Sequence, residues 1–353
     1  MQKQCTGINI SEANFSAVIC QRSDNDELIY SSTRKFNNDK KGFNQLTKWT
    51  AKESKNGVPM VFLIEPTGVY HEALANHLHK IGKTVHVILP NTSKNYFRSL
   101  NIKTKTDDVD ARILSRFGVE RKHREWQPPK KIYKEMRDLS RYRIQLQEQK
   151  TALANIAHSK EYSHDISADI TKSNKKLIKL LDKEINAIKA KLAELVATDK
   201  DLSERIRKIC TIKGMALQSA AGLVAETKGF EGFVNGKQLA SFAGYDVVHK
   251  VSGTSVKGIT RISKKGIRYI RHLMYHPAMS ASKHVPEFAN LRDRIFKRTW
   301  IPMKAQCAVQ RKLLLLVYTL WKNETEYQPQ YHKKKIAKAK AQATQDKLTA
   351  SFP

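Results

Sequence analysis

Apolar positions in about the first 125 residues fall into short runs bounded by turn residues. Residues 5–10 and 17–20 read as two strands, 61–64 as a short strand of the buried type, and 85–89 as another, closed by Pro90. Between the last two, 71–82 carries Ala73, Leu74, Leu78 and Ile81 at helical spacing, and Gly82 supplies the stop. Strand–helix–strand order implies parallel pairing, so this part of the chain is expected to be α/β.

The period changes after Pro128-Pro129, two residues that cannot both sit inside a helix. From 130 to 276 there is no proline. Ile132, Met136, Leu139, Tyr142, Leu146, Leu153 and Ile156 keep a largely 3/4 spacing, as do Leu181, Ile185, Ile188, Leu192 and Leu195. Both sets predict packed long helices, with the polar stretch 158–173 as the turn of an antiparallel hairpin. Residues 130–205 hold 17 Lys or Arg and 12 Asp or Glu, so a charged, non-catalytic spacer or oligomerisation arm is the expected role. A third region starts near Ile206, with Ile212-Lys-Gly-Met as a turn between helices and small residues (Ala216, Ser219, Ala220, Ala221, Gly222) suited to close packing or to a phosphate backbone. A segment 239–245, a loop containing Ser252-Gly253 and a helix over 266–274 follow. The expected division is 1–127, an α/β domain; 128–205, a helical coiled-coil arm; 206–330, a mainly helical C-terminal domain; and 331–353, a flexible basic tail.

Charge changes the picture from fold to partner. Among 353 residues, 64 Lys and Arg face 33 Asp and Glu, a net +31 that points to a polyanion. Residues 252–312 alone carry 14 Lys or Arg against Glu287 and Asp293. With 40% hydrophobic residues the chain has material for cores, which excludes wholesale disorder. The longest apolar run, 313–317, is far short of the ~20 residues of a membrane span. The N-terminus lacks a basic segment followed by an apolar one, and Cys5, Cys20, Cys210 and Cys307 form no CxxC. A nucleic-acid-binding protein of the cytoplasm, nucleoid-associated and with no membrane partner, is expected.

Two groups of residues offer chemistry. Glu65 follows the strand at 61–64, while Asp107 and Asp110, at i and i+3, share one helical face. Three carboxylates at the edge of a parallel sheet suit Mg²⁺, and paired ions can clamp a phosphodiester. The alternative is that Asp107 and Asp110 are merely favourable charges at a helix N-terminus. Ser252 stands beside glycine among Lys250, Lys257, Arg261, Lys264, Lys265 and Arg268, the expected nucleic-acid contacts. Its hydroxyl would meet a phosphate there, either as a nucleophile or as a simple contact, and Ser255 and Ser263 would serve the second role equally well. His249, His272 and His276 read as ordinary partly buried histidines.

These residues carry a resemblance. Gly7-Ile-Asn-Ile-Ser, Ile64-Glu-Pro-Thr-Gly-Val-Tyr and Lys105-Thr-Asp-Asp-Val-Asp-Ala resemble the N-terminal signature of insertion-sequence family 110, the DEDD transposases with an RNase H/RuvC-like domain, related to Piv-type invertases. Ile212-Lys-Gly-Met, Leu239-Ala-Ser-Phe-Ala-Gly-Tyr, Ser252-Gly and Gly258-Ile-Thr-Arg-Ile-Ser-Lys-Lys-Gly resemble its C-terminal transposase domain. The resemblance implies that position 9, Glu65, Asp107 and Asp110 bind Mg²⁺ and that Ser252 forms a transient 5′-phosphoserine link to DNA. It further implies a homo-oligomer, dimer or tetramer, whose DNA sites are chosen by pairing to a noncoding bridge RNA. Delegating sequence choice to base pairing accounts for the lack of a base-reading module.

One position departs from the pattern. The family's first acid is Asp, and this chain has Asn9, which keeps a carbonyl oxygen but loses the charge that favours a divalent ion. The expectation is an RNA-guided DNA recombinase, multidomain α/β followed by α. A RuvC-like nuclease or resolvase using metal alone is one alternative. A catalytically impaired nucleic-acid-binding homologue is the other.

Overall fold

In the computed structural model the residues described are 3–162, 167–249, 251–253, 256–329 and 331. The chain divides into two compact units, Met1–Pro128 and Pro129–Pro353.

The first unit is built on β1 (Lys3–Ile10) and β2 (Asn14–Arg22), an antiparallel pair. Two short strands, β3 (Leu28–Tyr30) and β4 (Arg34–Asn37), both pair with β2. Then come α1 (Lys40–Glu53), β5 (Met60–Glu65), α2 (His71–Lys80), β6 (Thr84–Val87), α3 (Pro90–Ser99) and α4 (Asp107–Glu120). The sheet runs β3-β2-β1-β5-β6, with β1, β5 and β6 mutually parallel, as the strand–helix–strand pattern predicts. Strand alternation splits the apolar residues between two faces. Ile8, Ile10, Phe62 and Ile64 pack with Phe43, Leu46, Leu74 and Leu78 of α1 and α2. Cys5 and Leu63 pack on the opposite face with Tyr96 of α3 and Leu114 and Phe117 of α4. Covered on both faces, the central strands read as near-continuous apolar runs.

The second unit is mostly helical. It opens with α5 (Lys131–Lys160) and α6 (Ala168–Ala197). Lys150 meets Asp182 at 2.6 Å and Asn174 donates to the Leu153 carbonyl at 3.1 Å, so partners move in opposite directions along the two helices and the hairpin is antiparallel. The inward seam of α5 is in part the one expected: Met136 and Leu146 are buried and Ile132 and Leu139 pack against the core. Tyr133, Ser140 and Ile144 are buried as well, whereas Tyr142 and Ile156 face water. The inward face is set by packing against a later helix, Leu217–Glu226, whose Gly222 lies against Ser140 and which the local period does not reveal. Next come α7 (Lys200–Cys210), α8 (Leu217–Glu226), α9 (Gly236–Phe242) and four two-residue strands: β7 (Val247–Val248), β8 (Val251–Ser252), β9 (Val256–Lys257) and β10 (Arg261–Ile262). Finally α10 (Arg268–His284), α11 (Pro286–Thr299) and α12 (Pro302–Asn323) close the unit. The helix expected over 266–274 runs on through Pro277, because Ile270, Met274, Ala278 and Ala281 continue one buried face past it. One core joins residues from both arm helices with α7, α8, α10 and α12. Residues 332–353, expected as a basic tail, lie outside the described residues, and no described helix is long and apolar enough to cross a membrane.

Candidate active site

The acidic group of the first unit is assembled by register and by one close approach. In β1, residues 5, 7 and 9 share a face; in β5, residues 63 and 65 share the same one. Asn9 stands opposite Glu65 in the parallel pair and opposite Ser16 in the antiparallel pair, giving a polar row at the carboxyl ends of β1 and β5. Helix α4 lies directly on that face at Gly7. A Cβ there would come within 2.1 Å of the Ser115 nitrogen and 2.4 Å of the Ala111 oxygen, so no larger residue fits. This approach delivers the start of α4 to the polar row. Thr106 caps the helix by accepting from the Val109 amide at 3.3 Å, which fixes the first turn and its three acids, Asp107, Asp108 and Asp110.

Asn9 Nδ2 donates to Asp107 Oδ1 at 3.0 Å, and Ser16 Oγ donates to Asp108 Oδ1 at 3.4 Å. Burial pushes the Glu65 carboxyl up, the Ser93 hydroxyl partly offsets this, and the charge of Asp110 adds to the rise. Asp110 is likewise held up by burial, eased by Lys105 and raised further by Asp107. Position 9, Glu65, Asp107 and Asp110 are thus brought together, and two of them are short of positive charge. Among the described residues no three His, Cys, Asp or Glu side chains form a ready metal-binding group. In kind the donors suit Mg²⁺, since all are hard oxygens and a cation would relieve the mutual repulsion of Glu65 and Asp110. For Asn9 to join them, its amide must turn so that the carbonyl oxygen replaces the Nδ2 now donated to Asp107.

The second candidate lies in the second unit. Ser252 ends β8 and pairs with Val256 of β9 in a small antiparallel hairpin. It is exposed, and Gly253 follows at φ 56°, a left-handed conformation that favours glycine in the turn. Lys250 and Ser255 lie outside the described residues, and Lys257 is described in its backbone alone. Ser263 is committed elsewhere: its hydroxyl donates to Asp246 Oδ1 at 2.6 Å and accepts from the Lys265 amide. Arg261, Lys264 and Lys265 are exposed and carry no carboxylate partner among the described residues. Arg268 lies over the Tyr269 ring, 4.0 Å from Glu148, a contact at the limit of an ion pair.

Several supporting residues escaped the sequence reading. Ser16 and Ser93 touch the acids from separate segments, and nothing in their spacing marks them, while Lys105 stands in the same motif as Asp107 and Asp110 without being singled out there as their counter-charge. Arg271 is another: its Nη1 donates to the Ala243 carbonyl at 2.7 Å and to Gly266 at 3.3 Å, tying the basic loop to the end of α9. Its place three residues after Arg268, on a helix with a buried opposite face, was a usable signal.

A family model described as Transposase, of the DEDD IS110 type, matches residues 6–160, and a second, Transposase IS116/IS110/IS902 family, matches 206–292. The pilin gene-inverting proteins of Moraxella bovis and Moraxella lacunata are each 25% identical to this chain over 342 residues, which is 94% of this chain and 100% of theirs.

Proposed function

Because the chain belongs to the IS116/IS110/IS902 family of transposases, we propose that it is an RNA-guided DNA recombinase of a mobile element. On this reading the first unit is RNase H/RuvC-like, and the helical arm joins copies of the chain into a dimer or tetramer. The observation that carries the proposal is the gathering of Asn9, Glu65, Asp107 and Asp110 at one sheet edge by the close packing at Gly7. Similarity along the whole length of proteins named for inverting a pilin gene supports strand exchange over nicking alone.

Glu65, Asp107 and Asp110, with the Asn9 carbonyl, would hold Mg²⁺, which would supply positive charge to a DNA phosphate. The hydroxyl of Ser252 attacks phosphorus, forming a phosphoserine ester as the bond to the 3′ oxygen breaks. The serine loses a proton and the leaving oxygen gains one, so a 3′ hydroxyl results. In the second step a 3′ hydroxyl from the partner strand displaces serine, and the hydroxyl is restored. Arg261, Lys264, Lys265 and Arg268 stabilise the charge on the phosphate and hold the flanking backbone.

A second reading has its own observation. The Asn9–Asp107 hydrogen bond lowers the demand for a cation, which favours a chain that binds nucleic acid but cleaves slowly. Site choice tests the proposal. The protein is combined with RNA transcribed from the noncoding flanks of its gene, and the guide segment is then changed. The recombined DNA site should change with it; an unchanged site would remove RNA guidance from the account.

A further inference from the structure

The turn between α11 and α12 holds a residue that packing does not explain. Trp300 adopts φ 55°, the left-handed conformation that at a helix end normally selects glycine, and it is 75% exposed. A bulky residue in this region is an outlier that calls for a cause. An unfavourable backbone therefore holds a large apolar ring out in water. Phe296 stands one turn earlier, edge-on to it at 5.7 Å between ring centroids, and is itself partly exposed. Phe296 also lines a groove with Tyr275, Met279 and Met303, all open to solvent.

The surroundings are cationic. Arg294, Lys297 and Arg298 on α11 and Lys304 on α12 carry no acidic partner among the described residues. The nearby Asp293 is already engaged by Arg292 at 2.8 Å. Aromatic faces set among unpaired cations complement a ligand with both flat rings and phosphates. A duplex keeps its ring faces stacked inside, whereas an unpaired strand presents them.

We propose that Trp300 and Phe296 form a stacking platform for the bases of an unpaired DNA strand, with Arg294, Lys297, Arg298 and Lys304 holding its phosphates. Recombination opens such a strand when a site is cleaved, so the inference rests on the DNA partnership proposed above, although not on the acidic cluster or Ser252. Stacking is indifferent to sequence, as suits a protein whose choice of site lies in base pairing.

The test titrates the full chain with a dT oligonucleotide of about ten nucleotides, a length within the range one such platform covers. Trp49 and Trp321 are buried and Trp126 is partly buried, so it is the quenching lost in the Trp300→Phe variant, rather than the total, that reports on Trp300. Trp300→Phe should retain binding, read by anisotropy of a labelled oligonucleotide, and lose most of the quenching. Trp300→Gly should weaken binding about tenfold, the value of one stacked base, while leaving the melting temperature equal or higher because glycine suits the backbone there. A residue with a purely structural role would lower the melting temperature instead. Equal binding by Trp300→Gly and the parent, equal quenching by a duplex of the same length, or stronger quenching by the matching ribo-oligonucleotide would each overturn the proposal. So would emission that changes with protein concentration in the absence of DNA, the mark of a second copy on the patch. If no DNA of any form binds, the proposed function falls too; if DNA binds equally without Trp300, the platform alone falls.

Discussion

At Asn9 a neutral amide spans two carboxylates that would otherwise repel: it donates to Asp107 at 3.0 Å and stands in register with Glu65. Asn9→Asp removes the donor and adds a fourth carboxylate to the three of a partly desolvated group. With chelator present the variant should melt below the parent. With Mg²⁺ it should rise further than the parent does, because binding to the folded state stabilises by ~2.7 kcal/mol when the ion is at a hundred times its dissociation constant. Equal melting curves across a Mg²⁺ titration would take position 9 out of the site. The acids themselves were legible through short motifs whose residue types the resemblance could match. Ser16 and Ser93 were not, since each reaches the acids only once the sheet has formed and α3 and α4 have docked.

At the scale of elements, α4 sits where it does because β1 presents Gly7 to it. Gly7→Ala would drive a methyl into the backbone of Ala111, Leu114 and Ser115, none of which can step aside without moving the helix. The first unit should lose about 3 kcal/mol or more, and any Mg²⁺-induced rise in melting temperature should go with it. Normal melting and normal Mg²⁺ response in this variant would show that the close approach does not set the site. The arm makes a separate prediction. Leu177 and Leu180 of α6 are 45% and 54% exposed, while Leu192 is fully buried in the common core. Leu177→Glu with Leu180→Glu should lower the mass of the nucleic-acid complex without altering helicity, whereas Leu192→Ala should cost ~2–5 kcal/mol of stability. An unchanged mass would reduce the arm to a spacer. The central strands and α2 were legible because burial on one or both faces imposes a period. Strands β3 and β4 were missed, being short pieces that acquire strand geometry only by pairing with β2. Helix α1 was legible in principle, from the Asp39 cap and the spacing of Phe43, Leu46 and Trp49, and was passed over.

Over the whole molecule the +31 charge opposes compaction unless an anion shares it. Affinity for duplex DNA should therefore fall with salt at a log–log slope of about −0.9 for each phosphate neutralised. Removing residues 333–353, which hold six Lys and one Asp, should flatten that slope without changing the site chosen. An affinity indifferent to salt would sink this account of the charge. On the proposed mechanism the Ser252 hydroxyl turns binding into chemistry, and in the sequence it was legible only as Ser-Gly among lysines.

Trapping the covalent intermediate tests the central claim most directly. The chain, and in parallel its Asn9→Asp variant, is incubated with Mg²⁺, the flanking RNA and a DNA site nicked so that the cleaved strand cannot be rejoined. A protein–DNA adduct should form, faster in the Asn9→Asp variant, with the DNA attached to the peptide containing Ser252, and Ser252→Ala should abolish it while binding persists. An adduct that survives Ser252→Ala, or cleaved DNA with no adduct in either protein, would contradict the phosphoserine mechanism and favour a nuclease that works through its metal alone.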